Sequence, residues 1–492
     1  MDISVTQEVA FSSAIDQLRA LNTGKITSVE LVELYLERIE SHADLVAVVS
    51  VDREGALQAA READEARLKG QSWGPLHGLP LTFKDAWATK GLRTVAGIPK
   101  YKDNIPNADA PVVANLRAAG AIIMGKTNMP TGNLDLQAAN PVFGISRNPW
   151  DKSKTTGGSA GGAAAAVAAG LTSIDFASEI AGSIRIPAHY CGVYGHKTSF
   201  GITPLTDHIP HAPGDGKYFW LDMALGGPMA RNAEDLEIAL LAAAAPQPRD
   251  RHAWRLELPK PRAKKLTEFR ICAWLDDAFC PVGKEVRQAL ETTIEALESA
   301  GAKVDRNPEL PVGLAEMHEV FDQLLYSAFA YYWEDEEFEK MIADAKNKPS
   351  NVHRDWVNIA RDTTIRHRQW IEATIARYKY VHQWQAFFKN YDVMLAPVTP
   401  STALPVHGPE ENWFGPAFEL DGVSRPYLDQ IKWTGFVNLI NAPSTSMPIG
   451  FDQNNMPIGM QIIGPYLEDL TTIEFAKVAS EVTGGYKRPL GY

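Results

Sequence analysis

The sequence predicts an α/β protein built on a central mixed, largely parallel, twisted sheet with helices on both faces. Three observations predict it. Stretches with apolar residues at helical spacing alternate with short apolar runs, the pattern that builds layers of helix on sheet. Of the 492 residues, 45% are hydrophobic, ample for a large core. No internal repeat, low-complexity tract or long Gly/Ser linker divides the chain.

Helices dominate the N-terminal part. Thr27 and Glu30 make a capping box, and Val29, Val32, Tyr35, Leu36 and Ile39 then follow helical spacing. Residues 56–69, rich in alanine and charge, read as a second, exposed helix. Residues 74–85 are a turn and then an apolar strand that ends in Lys84. A helix over 110–119 and a buried strand over 121–125 follow. Residues 163–169, nearly all alanine, predict a helix closed by Gly170, and 171–176 predict a buried strand. Residues 179–182 form a tight loop ending at Ser183, and Pro187 suits the first turn of a short helix. Between Lys264 and Val304 a strand, a helix and a strand are expected. Residues 317–391 read as long polar helices carrying Phe329, Tyr331, Tyr332, Trp333, Trp356, Trp370 and Trp384. That stripe is either ordinary core or the lining of a substrate funnel. The chain returns to the sheet at 393–396 and 460–463 and closes with an amphipathic helix over 470–482.

Composition excludes several classes of function. A formal charge of −12 and a pI near 5.5 argue against general nucleic-acid binding, which calls for a basic surface. No apolar run approaches the ~20 residues of a membrane helix, and residues 1–10 lack the basic start and apolar core of a signal peptide. Cys191, Cys272 and Cys280 have no metal-ligand or disulfide spacing, so a cytoplasmic protein is expected.

The chemistry centres on residues 155–201, which hold two glycine-flanked serines, Ser159 in GGSAGG and Ser183 in AGSIRIP. Glycines there let backbone approach a ligand and leave N–H groups facing a cavity. GGSAGG is no phosphate loop, since no Gly-Lys-Ser/Thr follows. Its letters fit a GxSxG elbow, but residues 151–155 are not the apolar strand such an elbow needs. A plain packing turn stays open as a reading. Lys84 weighs against it, because a lysine ending a buried strand is unusual, and desolvation lowers its pKa toward a neutral, proton-accepting amine.

These residues carry a resemblance to the amidase signature family. It rests on the two serines 24 positions apart, followed by Ser-Ile-Arg-Ile-Pro-Ala and Cys-Gly-Val-x-Gly-x-Lys. Upstream it includes residues 74–80 before Lys84, 125–130 and 147–151; downstream, 227–231, 392–400 and 456–464, so nearly the whole chain is covered. The resemblance implies the amidase-signature fold and a Ser-cisSer-Lys triad, with Ser183 as nucleophile, Ser159 as bridging serine on a cis peptide bond and Lys84 as base. It implies an oxyanion hole from the N–H groups of Ile180, Ala181, Gly182 and Ser183, with no metal or cofactor. Two departures stand beside the nucleophile: Glu179 replaces the usual aspartate and Ala181 a glycine. Ala160 also replaces a second serine.

The resemblance further implies one large domain over 1–492, comprising N-terminal helices (1–70), a catalytic α/β core (71–310 and 392–492) and a variable helical cap (311–391). Asn133, Leu134, Asp135 and Phe143 become candidate substrate-binding residues on the acyl side, against the alternative of an ordinary surface loop. Residues 205–222 contain Asp207, His208 and His211, for which a solvated loop is expected over a metal site, and Tyr218, Phe219 and Trp220, read as a lid. The expected activity is hydrolysis of small amides, with esters, anilides or carbamates as further substrates, by a monomer or homodimer without nucleic-acid or membrane partners. The alternative is the amidase-like component of a glutamine- and tRNA-dependent amidotransferase. Ile186, where such components resemble Ser-Ile-Arg-Gln-Pro, favours the hydrolase.

Overall fold

The computed structural model describes residues 3–208, 221–349, 354–408 and 415–492. The chain begins with α1 (Ile3–Phe11), α2 (Ala14–Asn22) and α3 (Ser28–Ser41), then strand β1 (Val48–Val51) and α4 (Arg53–Leu68). The Thr27–Glu30 capping box forms as the sequence predicts, and Asp64 from α4 accepts the Ser28 and Val29 N–H groups, locking the two helices together.

Next come β2 (Pro80–Lys84), α5 (Pro111–Ala118), β3 (Ile122–Thr127) and a small hairpin of β4 (Ala139–Asn140) and β5 (Gly144–Ile145). Helix α6 (Gly161–Ala168) leads to β6 (Ile174–Glu179), α7 (Arg185–Cys191), β7 (Tyr194–Lys197), β8 (Leu225–Ala230) and α8 (Ala233–Ala243). The second half holds β9 (Arg270–Ala273), α9 (Lys284–Ser299) and β10 (Lys303–Asp305). Four helices follow: α10 (Leu314–Ala328), α11 (Asp335–Asn347), α12 (Arg354–Thr363) and α13 (His367–Phe387). The chain then forms β11 (Val393–Pro397), the ribbon β12 (Phe418–Leu420) and β13 (Val423–Arg425), α14 (Lys432–Leu439), β14 (Ser444–Phe451), β15 (Pro457–Ile463) and α15 (Asp469–Thr483).

Eleven of these strands make one mixed sheet, in the order β1-β3-β2-β6-β8-β7-β14-β15-β11-β9-β10. Parallel pairing occupies two blocks, β3-β2-β6 and β11-β9-β10, where helices connect the strands. The strands joining the blocks run antiparallel. In the first block Thr82 registers with Asp175 and Phe83 with Phe176, so Lys84 ends β2 beside the last residues of β6. Helix α6 packs on this block, every residue of it buried, because alanine and glycine side chains let its backbone lie close to the sheet.

The strand expected over 171–176 lies three residues later. Thr172 turns the chain by donating its hydroxyl to Ile174 O at 2.8 Å, and Ser178 and Glu179 stay in the strand because their polar groups find buried partners. No described helix is long and apolar enough to cross a membrane.

Candidate active site

Lys84 is fully buried at the carboxyl end of β2, and its Nζ lies 2.6 Å from Ser159 Oγ. Ser178 Oγ and Ser178 O, from the neighbouring strand, each lie 3.2 Å from the same nitrogen. Burial pulls the Lys84 pKa down to about 7, and the charges of Asp175 and Glu179 offset only part of that shift. Near pH 7 the neutral and charged forms of the amine are therefore about equally populated.

Ser159 sits in the loop before α6, and the Gly158–Ser159 peptide bond is cis. The preceding glycine is required by packing, since a Cβ at Gly158 would lie 2.6 Å from Asp135 O and Gln137 N. This close approach brings the serine loop against residues 133–137. Ser159 Oγ is 3.5 Å from Asn133 Oδ1.

Ser183 lies in the loop from β6 to α7, 7% exposed and facing the cavity. It is tied to the Ser159 loop through backbone, Ala160 N–H donating to Ser183 O at 3.0 Å. No hydrogen bond joins the two serine hydroxyls in this structure.

The loop over residues 180–183 is held from behind. Thr434 Oγ1, on α14, donates to Ala181 O at 2.7 Å, and Gly182 has φ +119 with Thr434 Oγ1 2.5 Å from where a Cβ would stand. The N–H groups of Ile180, Ala181, Gly182 and Ser183 donate to no acceptor among the described residues. The next two N–H groups, of Ile184 and Arg185, donate to Glu179 Oε2 at 2.9 and 3.2 Å.

Glu179 is itself paired with the fully buried Arg185, whose Nε donates to Glu179 Oε1 at 2.9 Å. The guanidinium continues to Gln461 Oε1 at 2.6 Å, Asn438 Oδ1 at 2.6 Å and Thr434 O at 2.9 Å. All its faces are thus satisfied, as a charge taken out of water requires. The longer Glu179 reaches both the guanidinium and the start of α7.

Two adjoining cavities share Asn133, Leu134, Ile180, Ser183 and Phe329. The inner one reaches Lys84, Ser159, Ser178 and His208. The outer one is walled by Leu136, Leu325, Tyr326, Tyr427, Leu428 and Ile431, with Ala181 at its floor, and is largely apolar. Asp135 borders it, but its Oδ1 is occupied by the Tyr427 hydroxyl at 2.9 Å and the Leu136 N–H at 2.7 Å. Among the described residues no cluster of His, Cys, Asp and Glu is arranged to hold a metal ion.

The structure brings Lys84, Ser159, Ser183, Ile180, Ala181, Asn133, Leu134 and Asp135 together, with Gly182 in the same loop. Phe143 is the exception and lines neither cavity. Asn140 Oδ1 accepts the N–H groups of Val142 and Phe143, turning the chain outward, and the ring stacks under the Arg93 guanidinium at 5.0 Å. The solvated loop expected at 207–208 is also corrected, since His208 is buried and bonded to Ser178. His211 and the aromatic run Tyr218, Phe219 and Trp220 lie outside the described residues.

Sequence reasoning missed Thr434 and Tyr427, whose neighbours in sequence form no motif that signals a site. Phe329 and Tyr332, from the aromatic stripe, do border the cavity, whereas Trp384 is buried in the core.

Comparison with known proteins agrees with this arrangement. The family model described as Amidase matches residues 30–473. An indoleacetamide hydrolase of Bradyrhizobium diazoefficiens is 33% identical over 468 residues, covering 93% of this chain and 84% of its own. A glutamyl-tRNA(Gln) amidotransferase component from Aromatoleum aromaticum is 31% identical, over 94% of this chain and 96% of its own. A crystal structure of an amidase superposes with a TM-score of 0.77 at 28% identity, covering 96% of this chain and 99% of its own. With a family match over most of its length and relatives of this kind end to end, the chain belongs to the amidase signature family and is an amidase, a hydrolase of carbon–nitrogen bonds.

Proposed function

We propose that the protein cleaves small amides bearing an apolar or aromatic acyl group, through an acyl-enzyme on Ser183. The observation that carries the reading is the 2.6 Å approach of a buried Lys84, its pKa lowered to about 7, to Ser159, with Ser183 at the edge of an apolar cavity. In the reaction the lone pair of Lys84 takes the Ser159 proton while Ser159 takes that of Ser183. The Ser183 oxygen attacks the amide carbon, and the N–H groups of residues 180–183 receive the negative oxygen, a contribution of about 3–4 kcal/mol per donor in comparable sites. The proton returns along the same path to the leaving amine, and water then hydrolyses the ester.

The cavity supports the substrate class. Leu134, Leu325, Phe329 and Ile431 offer an apolar slot, which suits a ring or short aliphatic chain beside the carbonyl. Indoleacetamide, after which one relative is named, is such an amide. Residues 311–391, through Leu325, Tyr326, Phe329 and Tyr332, serve as the cap that sets the fit. The amidotransferase reading is not better supported: among the described residues of the outer cavity Asp135 is the one charged side chain, and its Oδ1 already receives the Tyr427 hydroxyl and the Leu136 N–H.

The test is a panel of primary amides, anilides, fatty amides, aryl esters and carbamates, with intact-mass detection of the trapped enzyme. Aryl-acetamides are expected to turn over fastest, with the added acyl mass on Ser183. Ammonia release from glutamine that appears only with partner proteins would favour the alternative.

A further inference from the structure

Ser178 touches Lys84 and also a histidine from a distant part of the chain. His208 Nε2 lies 2.8 Å from Ser178 Oγ, and His208 borders the inner cavity with Lys84 and Ser159. The histidine is held in place by the loop that follows the lysine strand. Its ring stands edge-on to Trp87 with centroids 4.6 Å apart, its backbone bridges to Trp87, and Ala88 N–H donates to Asp207 O at 3.1 Å. The base and the clamp on His208 thus belong to one segment, residues 84–88.

A neutral lysine has two N–H bonds and one lone pair, and only the lone pair can receive the Ser159 proton. Its three neighbours here are Ser159 Oγ, Ser178 O and Ser178 Oγ. The carbonyl can only accept, so it takes one N–H. The Ser178 hydroxyl can accept the second N–H, or it can turn its own hydrogen to the lone pair and compete with Ser159. A partner that draws the Ser178 hydrogen away settles the choice. His208 Nε2 is placed to be that acceptor when the ring proton is on Nδ1.

We propose that His208 is a positioning residue that acts through Ser178, taking the Ser178 hydrogen so that the Lys84 lone pair is kept for Ser159. The inference rests on Lys84 being the base, as in the proposed function. It adds a group outside the serine–serine–lysine set, acting on the base through the Ser178 hydroxyl.

The test measures kcat and KM on the best amide of the panel for His208→Leu, His208→Gln, His208→Asn, Ser178→Ala and the double variant Ser178→Ala/His208→Leu. His208→Leu is expected to lower kcat tenfold or more with KM within twofold. His208→Gln, whose amide oxygen reaches the place of Nε2, is expected to recover kcat to within about threefold of the parent, whereas the shorter His208→Asn is not. In the Ser178→Ala background, His208→Leu is expected to cost less than twofold. An equal loss in both backgrounds, a change in KM alone, or an unchanged kcat in His208→Leu would overturn the proposal. If His208→Leu does not fold, the contrast between Gln and Asn decides it, and equal kcat in those two counts against it. Ser183→Ala, run beside them, separates the two levels. Its inactivity alongside a fully active His208→Leu sinks only the role of His208, while retained activity in Ser183→Ala sinks the underlying reading.

Discussion

The hydroxyl of Thr434 donates to the carbonyl oxygen of Ala181 at 2.7 Å, tying helix α14 to the loop that carries Ser183. In a trans peptide the carbonyl and the following N–H point opposite ways, so this bond turns the Gly182 N–H away from Thr434. Thr434→Val keeps the shape and removes the donor. With the Gly182 N–H as the oxyanion donor proposed above, it is expected to lower kcat about tenfold to a hundredfold with little change in KM, since displacing such a donor is felt mainly in the transition state. Steady-state kinetics with Thr434→Ser as the recovering control check this.

Lys84 is predicted to cost stability. Its pKa falls from 10.5 in the unfolded chain to about 7 in the folded one, with burial the main cause. Between those values the unfolded chain holds a proton that the folded chain lacks, so stability rises with pH across the window and is lowest, and level, below pH 7. Lys84→Met is therefore expected to be inactive yet more stable, by about 2–4 kcal/mol at pH 7. The gain shrinks as pH approaches 10. Urea unfolding of both proteins at pH 7 and pH 9.5 measures the difference.

The Glu179–Arg185 pair lies wholly inside the protein. Glu179→Gln leaves the Arg185 charge without its counter-ion and is expected to destabilise by about 3–5 kcal/mol. Because Glu179 also receives the Ile184 and Arg185 N–H groups, the Ser183 loop loosens and kcat falls with stability. Denaturant midpoints and kcat measured on the same preparations check both effects.

Phe329 borders both cavities. Phe329→Ala is expected to raise KM for aryl-acetamides about tenfold and to favour bulkier acyl groups, because an aromatic pair is worth about 0.5–1.5 kcal/mol beyond the area it buries. Relative kcat/KM across the panel is the readout.

Much of the site was legible in the sequence because its chemistry is local. An apolar strand ending in lysine and a serine between glycines are each contained in a few residues, and Lys84 and Ser159 meet as those stretches suggest. The start of β6 was misplaced because Leu171 is apolar but sits in a turn, while Ser178 and Glu179 look like loop residues until their buried partners are known. Thr434 and His208 were not legible as site residues. Each reaches the site across the fold, one from a helix near the C-terminus and the other from a stretch that reads as solvated loop. Phe143 lies apart from residues 132–136, which border the two cavities, because Asn140 caps the turn that carries it.

In the proposed reaction a buried amine of pKa near 7 drives Ser183 through Ser159, so acylation follows the titration of that amine. This is tested most directly by the pH dependence of the pre-steady-state rate of Ser183 acylation. The account predicts a rate that rises with pH to a plateau with a midpoint near 7, and a far slower, pH-independent rate in Lys84→Met. A rate in the parent enzyme that stays level from pH 5 to 9, or a rising limb that persists in Lys84→Met, would contradict it.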